Sequence, residues 1–572
     1  MRDKALSFVY GLRMDISVAS YILAPVVLMA IAGVFLNFFG RALIYKIYTC
    51  IVLFLVLLIT TADLEVYRSW GFRIDTTPLK YLSSPQEVWA SISHLPLTLI
   101  LVLFTLAYTG IALLFIRFIK KNINLLQDET GKLWTVGVLL LVTGFLIVPM
   151  RGGFQLTPMN QSMVYFSKQN FANVTAVNAT WNFLNGLDKG APVVNPYKYT
   201  SPANAKILVD SLYRSSDSTT SLINVEDPNV IIIIWESLTS KALDQNLEGI
   251  PILPRLNELR KEGVFFSQIY ASGDRTDKGV AAVLSGYPAM NNVSVIRFPK
   301  KSSRLQTLPG FFKDRGYNTS FYYGGETEFA NIKSYLLQSH YDRIIDKNDF
   351  QSRYWNSKWG AHDGVVGLRI SEDLKQQKQP FFTTWLTLSS HEPFETPEPS
   401  VFNGKDHASQ FANSLHYTDA MVYDFIRLCK HQPWWEKTIV VIIADHGHIL
   451  LQPSDPVENF KIPMLWLGGA LNASGIEVNT AASQTDLAHT LASQFNSSSK
   501  LFPFSKNILD PETLPWAFYS FNNGFGFMQD KKGFVFDNVG KQVIIEKGKT
   551  TTTDIHAGQA LQQMIFQDFI EK

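Results

Sequence analysis

Three places in the chain carry residue types that bind hard cations or attack electrophiles. They are Glu236, the turn Gly273-Asp-Arg-Thr276-Asp, and Asp445-His446. Each follows an apolar, largely β-branched or aromatic run, at 229–235, 264–270 and 438–444. Runs of that length without alternation fit strands buried on both faces of a parallel sheet. Side chains just past the C-terminal ends of such strands lie at the edge where open α/β sheets bind ligands. Glu236, Asp445 and His446 would there form an oxygen and nitrogen donor set compatible with Mn, Mg or Zn. A threonine hydroxyl against such an ion is an activated nucleophile toward a phosphate ester. Each residue alone has a plainer explanation: Glu236 as an acid at a helix start, Thr276 as an N-cap. Three strands delivering ligand or nucleophile to one edge is the less ordinary pattern.

Other residues fall near the same edge. Arg275 and Lys278 flank Thr276 at a strand-to-helix turn, where free backbone N–H groups favour an anion such as a phosphoryl group. His391 follows the apolar run 381–388 and suits a phosphate donor or an acid catalyst. Glu326 and Asn331 follow the strand 319–323 and its two glycines as pocket residues, although turn chemistry explains them almost as well. To position these groups, the sequence predicts helices over 253–263, 305–317, 417–429, 485–494 and 557–570, and antiparallel strands within 517–546. The expected fold is α/β, a mostly parallel central sheet flanked by helices with a small C-terminal antiparallel sheet.

The N-terminal part is of another kind. The 572 residues are 46% hydrophobic and 17% charged, and the charge deficit lies before residue 150. Four apolar runs, Ser17–Phe39, Tyr45–Ala62, Leu95–Ile119 and Leu133–Met150, approach the roughly 20 residues that span a bilayer core. Arg41 and Lys46 lie between the first two, and Arg117, Lys120, Lys121 and Lys132 between the last two, so those loops are expected in the cytoplasm. Everything after Met150 then faces outward. Four spans place the basic start Met1-Arg-Asp-Lys outside as well, and the expectation is that an upstream span precedes it. Tyr67, Trp70, Tyr81 and Trp89 within 63–94 would suit the headgroup level, or an ordinary loop. The expected division is a membrane domain over 1–150, a polar linker over 151–227 that packs on the next part, and a catalytic domain over 228–572. A net charge of +2 excludes a nucleic-acid binder with a global basic field. The two cysteines, Cys50 and Cys429, argue against a disulfide scaffold.

Taken together, Ile-Ile-Trp-Glu236-Ser-Leu, Gly-Asp-Arg-Thr276-Asp, Ser-His391-Glu-Pro-Phe, Ala-Asp445-His446-Gly and Ile-Pro-Met-Leu resemble the lipoteichoic acid synthase and phosphoglycerol transferase group of the alkaline phosphatase superfamily, with its sulfatase-like fold. The resemblance implies Thr276 as nucleophile, Glu236, Thr276, Asp445 and His446 around one manganese-like ion, His391 on the headgroup, and five spans. It implies a bacterial-type, multi-pass cytoplasmic (inner) membrane protein with an extracytoplasmic catalytic domain. Its donor would be a membrane phospholipid and its acceptor a glycan or polymer. The sequence departs from the Gram-positive synthases where their Trp and Arg pocket segment would fall, at 324–331, and His362 and Asp363 are expected to supply substitute contacts. Rival readings are a phosphoethanolamine transferase, whose exported domain usually has several disulfides, a phosphodiesterase or phosphatase using water, and a membrane sensor with a degenerate site. The sulfatase nucleophile pattern, Cys or Ser followed by Pro or Ala and then Arg, is absent around Thr276.

Overall fold

A computed structural model describes residues 2–70, 73–74, 96–122, 132–167, 169–189, 192, 194–216, 218–453, 455–497 and 501–572. Tyr81 and Trp89 lie outside the described residues. The chain forms two compact units, Met1–Ala191 and Pro192–Lys572, so the polar stretch 151–227 is divided between them.

In the first unit four helices are long and apolar enough to cross a membrane: Arg2–Phe35, Ala42–Arg68, Leu97–Asn122 and Lys132–Met150. The first packs on the fourth and the second on the third. The first begins well before Ser17, because its polar N-terminal turns have partners. Ser167 Oγ donates to Asp3 Oδ2 at 2.6 Å, and Arg13 donates to the Gly152 carbonyl at 2.6 Å and to Gln155 at 2.8 Å. The second helix runs past Ala62 because Asp63, buried, is ion-paired with Arg73 and accepts the Ile74 N–H at 2.7 Å. A buried carboxylate needs such compensation to remain charged.

The second unit is built on a 13-stranded sheet. Its centre is Asn229–Trp235, hydrogen-bonded in parallel to Thr438–Ala444 on one side and Phe381–Leu386 on the other. Asn318–Tyr323 and Arg343–Ile345 extend the parallel run. Every residue of Asn229–Trp235, Phe381–Leu386 and Thr438–Ala444 is buried, as strands covered on both faces require. Lys461–Leu467 lies antiparallel to both Thr438–Ala444 and Val264–Tyr270. Beyond these, Ala482–Ser483 joins the sheet to four antiparallel strands within 516–547. The predicted helices all appear, with shifted ends: 417–429 is the middle of His407–Lys430, and 557–570 belongs to Thr552–Glu571, which begins at a Thr551–Asp554 capping box. Pro202–Leu212 starts on a Ser201 cap.

Candidate active site

The C-terminal ends of three strands converge. Asn229–Trp235 and Thr438–Ala444 run in register, with Trp235 opposite Ala444, so Glu236 and Asp445 emerge side by side. Ser237 fixes their spacing: its hydroxyl donates to Glu236 Oε1 at 2.8 Å and its N–H to Asp445 Oδ1 at 2.7 Å. Ser237 adopts φ +58°, a strained conformation for a side-chain-bearing residue, and these bonds hold it there. Thr387 Oγ1 accepts the Glu236 N–H at 2.9 Å, which ties in the neighbouring strand end.

Val264–Tyr270 delivers the nucleophile candidate. After it the chain turns into the helix Thr276–Ser285. Thr276 is not the N-cap; Arg275 is, and its side chain makes no capping bond. The Thr276 hydroxyl donates to Glu236 Oε2 at 3.2 Å instead. Close approach depends on Gly279, where a Cβ would meet the Asp445 carbonyl oxygen at 2.0 Å. Gln484 locks the same junction, since its amide donates to the Ala444 and Asp445 carbonyls at 2.6 and 2.7 Å and accepts the Ser272 N–H at 3.0 Å.

Glu236, Asp445 and His446 each offer one donor atom within 4.8 Å of the others, a separation that fits a shared cation. His446 Nδ1 pairs with the Gly447 carbonyl at 2.7 Å, so in the neutral ring Nε2 carries a lone pair, 3.6 Å from Glu236 Oε1 and 3.5 Å from Asp445 Oδ2. Asp445 Oδ2 is buried with no hydrogen-bond partner, an oxygen for which a cation is the natural complement. Burial, with Glu236 beside it, pushes the Asp445 carboxyl up to about 8. Burial also acts to raise Glu236, but the neighbouring His391 and His446 and the Ser237 hydroxyl hold it below its ordinary value. His446 is raised: burial lowers it, and Asp445 and Glu236 outweigh that. Two carboxylates this close in a dry setting repel when both are charged, and a divalent ion relieves that repulsion. The residues therefore fit a metal of the Mn, Mg or Zn kind.

A cavity of about 380 Å³ opens over this cluster, lined also by Arg275, Lys278, Arg297, Phe329, His391 and His448. The acids flanking Thr276 are already matched: Lys278 Nζ donates to Asp274 at 2.9 Å, and Arg297 Nε to Asp277 at 2.6 Å. His391 Nδ1 pairs with the Glu392 carbonyl at 2.9 Å, and its ring meets Trp359 edge-on at 4.8 Å.

Four residues expected at the pocket do other work. Glu326 is ion-paired with Lys347 at 3.1 Å. Asn331 braces the Arg297 carbonyl from behind, at 3.1 Å. His362 is buried, its Nδ1 3.1 Å from Ser389 Oγ. Asp363 accepts from the N–H groups of Leu388 and Ser389 and from the Thr418 hydroxyl, so it anchors a strand end in the core. None of the four lines the cavity. Arg297 and Ser237 line it instead, and Gln484 braces the backbone beneath; sequence reasoning missed all three. They come from the 3-10 turn Val295–Arg297, the residue after Glu236 and the residue after the short strand Ala482–Ser483, with no periodicity to mark them.

Fold and site together define an α/β domain with a candidate metal and nucleophile site at the ends of its strands. Residues 228–497 match the family described as Sulfatase. A lipoteichoic acid synthase-like protein, YvgJ, of Bacillus subtilis is 24% identical over 315 residues, 50% of this chain and 51% of that one. Phosphoglycerol transferase I of Xanthomonas axonopodis pv. citri is 24% identical over 310 residues, 50% of this chain and 44% of that one. A crystal structure of an alkaline phosphatase superfamily protein from Vibrio parahaemolyticus shares the fold, with a TM-score of 0.57 at 24% identity over 65% of this chain and 97% of that one. The chain thus spans about half the length of the curated relatives it matches.

Proposed function

We propose that the protein transfers a phospholipid headgroup, phosphoglycerol, to a hydroxyl of a glycan or polymer acceptor through a covalent phosphothreonine. One observation carries this reading: the Thr276 hydroxyl meets Glu236 beside the orphaned Asp445 oxygen and the His446 lone pair, at the floor of an open cavity. The relatives named as a lipoteichoic acid synthase-like protein and a phosphoglycerol transferase support it.

Glu236, Asp445, His446 and the Thr276 hydroxyl would hold the ion, with manganese the first choice. When bound, it supplies Lewis-acid stabilisation of charge on the nucleophile and the phosphoryl oxygens. In the first step Thr276 Oγ1 gives up its proton toward Glu236 Oε2 and bonds to the phosphorus of the diester. The bond from phosphorus to the diacylglycerol oxygen breaks, and that oxygen takes a proton from His391. In the second step an acceptor hydroxyl, deprotonated by His391, bonds to phosphorus. The Thr276 Oγ1–P bond then breaks, and Glu236 returns its proton to Oγ1, which restores the threonine hydroxyl. Arg275 and Arg297 at the cavity wall, and the uncapped start of Thr276–Ser285, supply positive potential for an anionic group. The four apolar helices support a reading in which the enzyme sits in the cytoplasmic membrane beside its lipid donor, and the Arg and Lys bias of the loops supports an outward-facing catalytic domain.

The test is mass spectrometry of the full chain after brief exposure to phosphatidylglycerol and Mn²⁺. The expected result is a phosphoglyceryl adduct on the peptide containing Thr276. An ethanolamine-bearing adduct formed from phosphatidylethanolamine instead would change the donor. Turnover without any adduct at Thr276 would remove the covalent route.

A further inference from the structure

One cavity-lining residue has no part in the scheme above. His448 follows the ligand pair by two positions and lines the same cavity as Thr276, His391 and His446. Its orientation is set from several sides. Gly447 lets the turn press against the segment before Lys461, where a Cβ would meet the Asn459 carbonyl oxygen at 2.1 Å. The imidazole stacks on Phe411, with centroids 4.3 Å apart and planes 30° apart. Phe394 meets it edge-on at 6.0 Å and 79°. Phe394 belongs to the turn that carries His391, its N–H bonded to the His391 carbonyl at 2.9 Å. The same turn thus places one histidine in the cavity and clamps the second.

The ring's hydrogen is also assigned by its partner. His448 Nδ1 accepts the Leu450 backbone N–H at 3.1 Å. A backbone N–H can only donate, so Nδ1 holds a lone pair and the hydrogen of the neutral ring sits on Nε2. That nitrogen has no lone pair to give a second metal ion. It offers one directed N–H on a ring with little freedom to turn, and a preorganised donor of this kind is suited to an oxyanion.

We propose that His448 is a substrate-binding residue whose Nε2–H donates to an oxygen of the phosphoryl group held in the cavity. The inference rests on the phosphoryl-transfer reading of the site for the identity of its ligand, but not on the acceptor or the covalent step. It also divides the labour between the histidines: His391 exchanges protons with reacting oxygens, and His448 orients the group being transferred.

The experiment uses the full chain in detergent, loaded with Mn²⁺, and inorganic phosphate as the probe. His448→Phe keeps a ring against Phe411 and removes the N–H; His448→Gln keeps a donor near the position of Nε2. Calorimetry is expected to show phosphate affinity reduced about tenfold in the Phe variant, the scale of one hydrogen bond to a charged group, and largely recovered in the Gln variant. Mn²⁺ affinity and melting temperature should stay close to wild type in both. Undiminished phosphate binding by the Phe variant would overturn the proposal. So would a fall in Mn²⁺ affinity parallel to the phosphate loss, which would make His448 a metal ligand. If phosphate affinity falls only together with melting temperature in both variants, the residue is structural and the proposal also fails. Failure of the transfer reading looks different: wild type would bind phosphate in a His448-dependent manner yet never carry an adduct on Thr276.

Discussion

The floor and the wall of the cavity are made differently. The floor, Glu236, Thr276 and Asp445, is buried just past the ends of strands; Ser237 bonds both carboxylates, and Thr387 and Gln484 hold the backbone of Glu236 and Asp445. The wall, Arg275, Arg297, Phe329 and His391, comes from turns and short helices and is partly open to solvent. A rigid floor suits chemistry that tolerates little displacement, whereas an adaptable wall suits the choice of substrate. The contrast makes a graded set of expectations, in which floor substitutions remove turnover and wall substitutions change affinity.

The largest effect should come from Thr276→Ala. It removes the attacking oxygen, and turnover of a chromogenic phosphodiester should fall by about a thousandfold or more. Expression and melting temperature should hold, because Thr276 makes only one side-chain hydrogen bond among the described residues. Next is Gly279→Ala. The added methyl would collide with the Asp445 carbonyl at 2.0 Å, so the helix carrying Thr276 must shift. Activity should fall by about a hundredfold, since an ångström of misplacement has effects of that order, and melting temperature should drop as well. If instead activity survives with only stability reduced, the floor is less rigid than the contrast requires.

The third expectation concerns pH. In the metal-free protein Asp445 holds its proton more tightly when folded than when unfolded, being raised from 3.8 to about 8. Its stabilising contribution is full below 3.8 and is lost as pH rises through about 8. Melting temperature of the metal-free wild type should therefore decline across that window relative to Asp445→Asn. Metal binding must expel that proton, so Mn²⁺ affinity should rise about tenfold per pH unit up to about 8. A pH-independent affinity would contradict the paired carboxylates. The smallest effect belongs to the wall. Arg297→Ala should raise KM about tenfold for an anionic substrate, with kcat nearly unchanged. Added salt should shrink the difference, because the Arg297 side chain is 54% exposed.

The same contrast explains what the sequence disclosed. Strands such as Asn229–Trp235 and Thr438–Ala444 are written as unbroken β-branched runs, so their ends, and with them Glu236 and Asp445, could be located from composition and length. Thr276 was legible for the same reason, although its hydroxyl bonds across to Glu236 instead of capping its own helix, a tertiary preference no local pattern encodes. The wall was legible only in part: Arg275 and His391 were expected there, and Arg297 and Phe329 were not. Glu326 and Asn331 followed a strand end and two glycines, as site residues do, yet one is neutralised by Lys347 and the other supports Arg297 from behind. Asp363 was expected to supply a pocket contact, but donors from Leu388, Ser389 and Thr418 consume it. Which polar residue faces a cavity depends on partners far away in sequence. The early start of the first apolar helix was likewise hidden, because Asp3 and Arg13 are satisfied by Ser167, Gly152 and Gln155.

The most direct test of the account is anomalous diffraction at the manganese edge from crystals of the full chain grown with Mn²⁺. The account predicts one strong peak bounded by Glu236, Asp445 and His446 with the Thr276 oxygen in its coordination sphere. A manganese peak elsewhere in the catalytic unit, or one at the carboxylates with Thr276 turned away from it, would contradict the claim that cation and nucleophile share one floor.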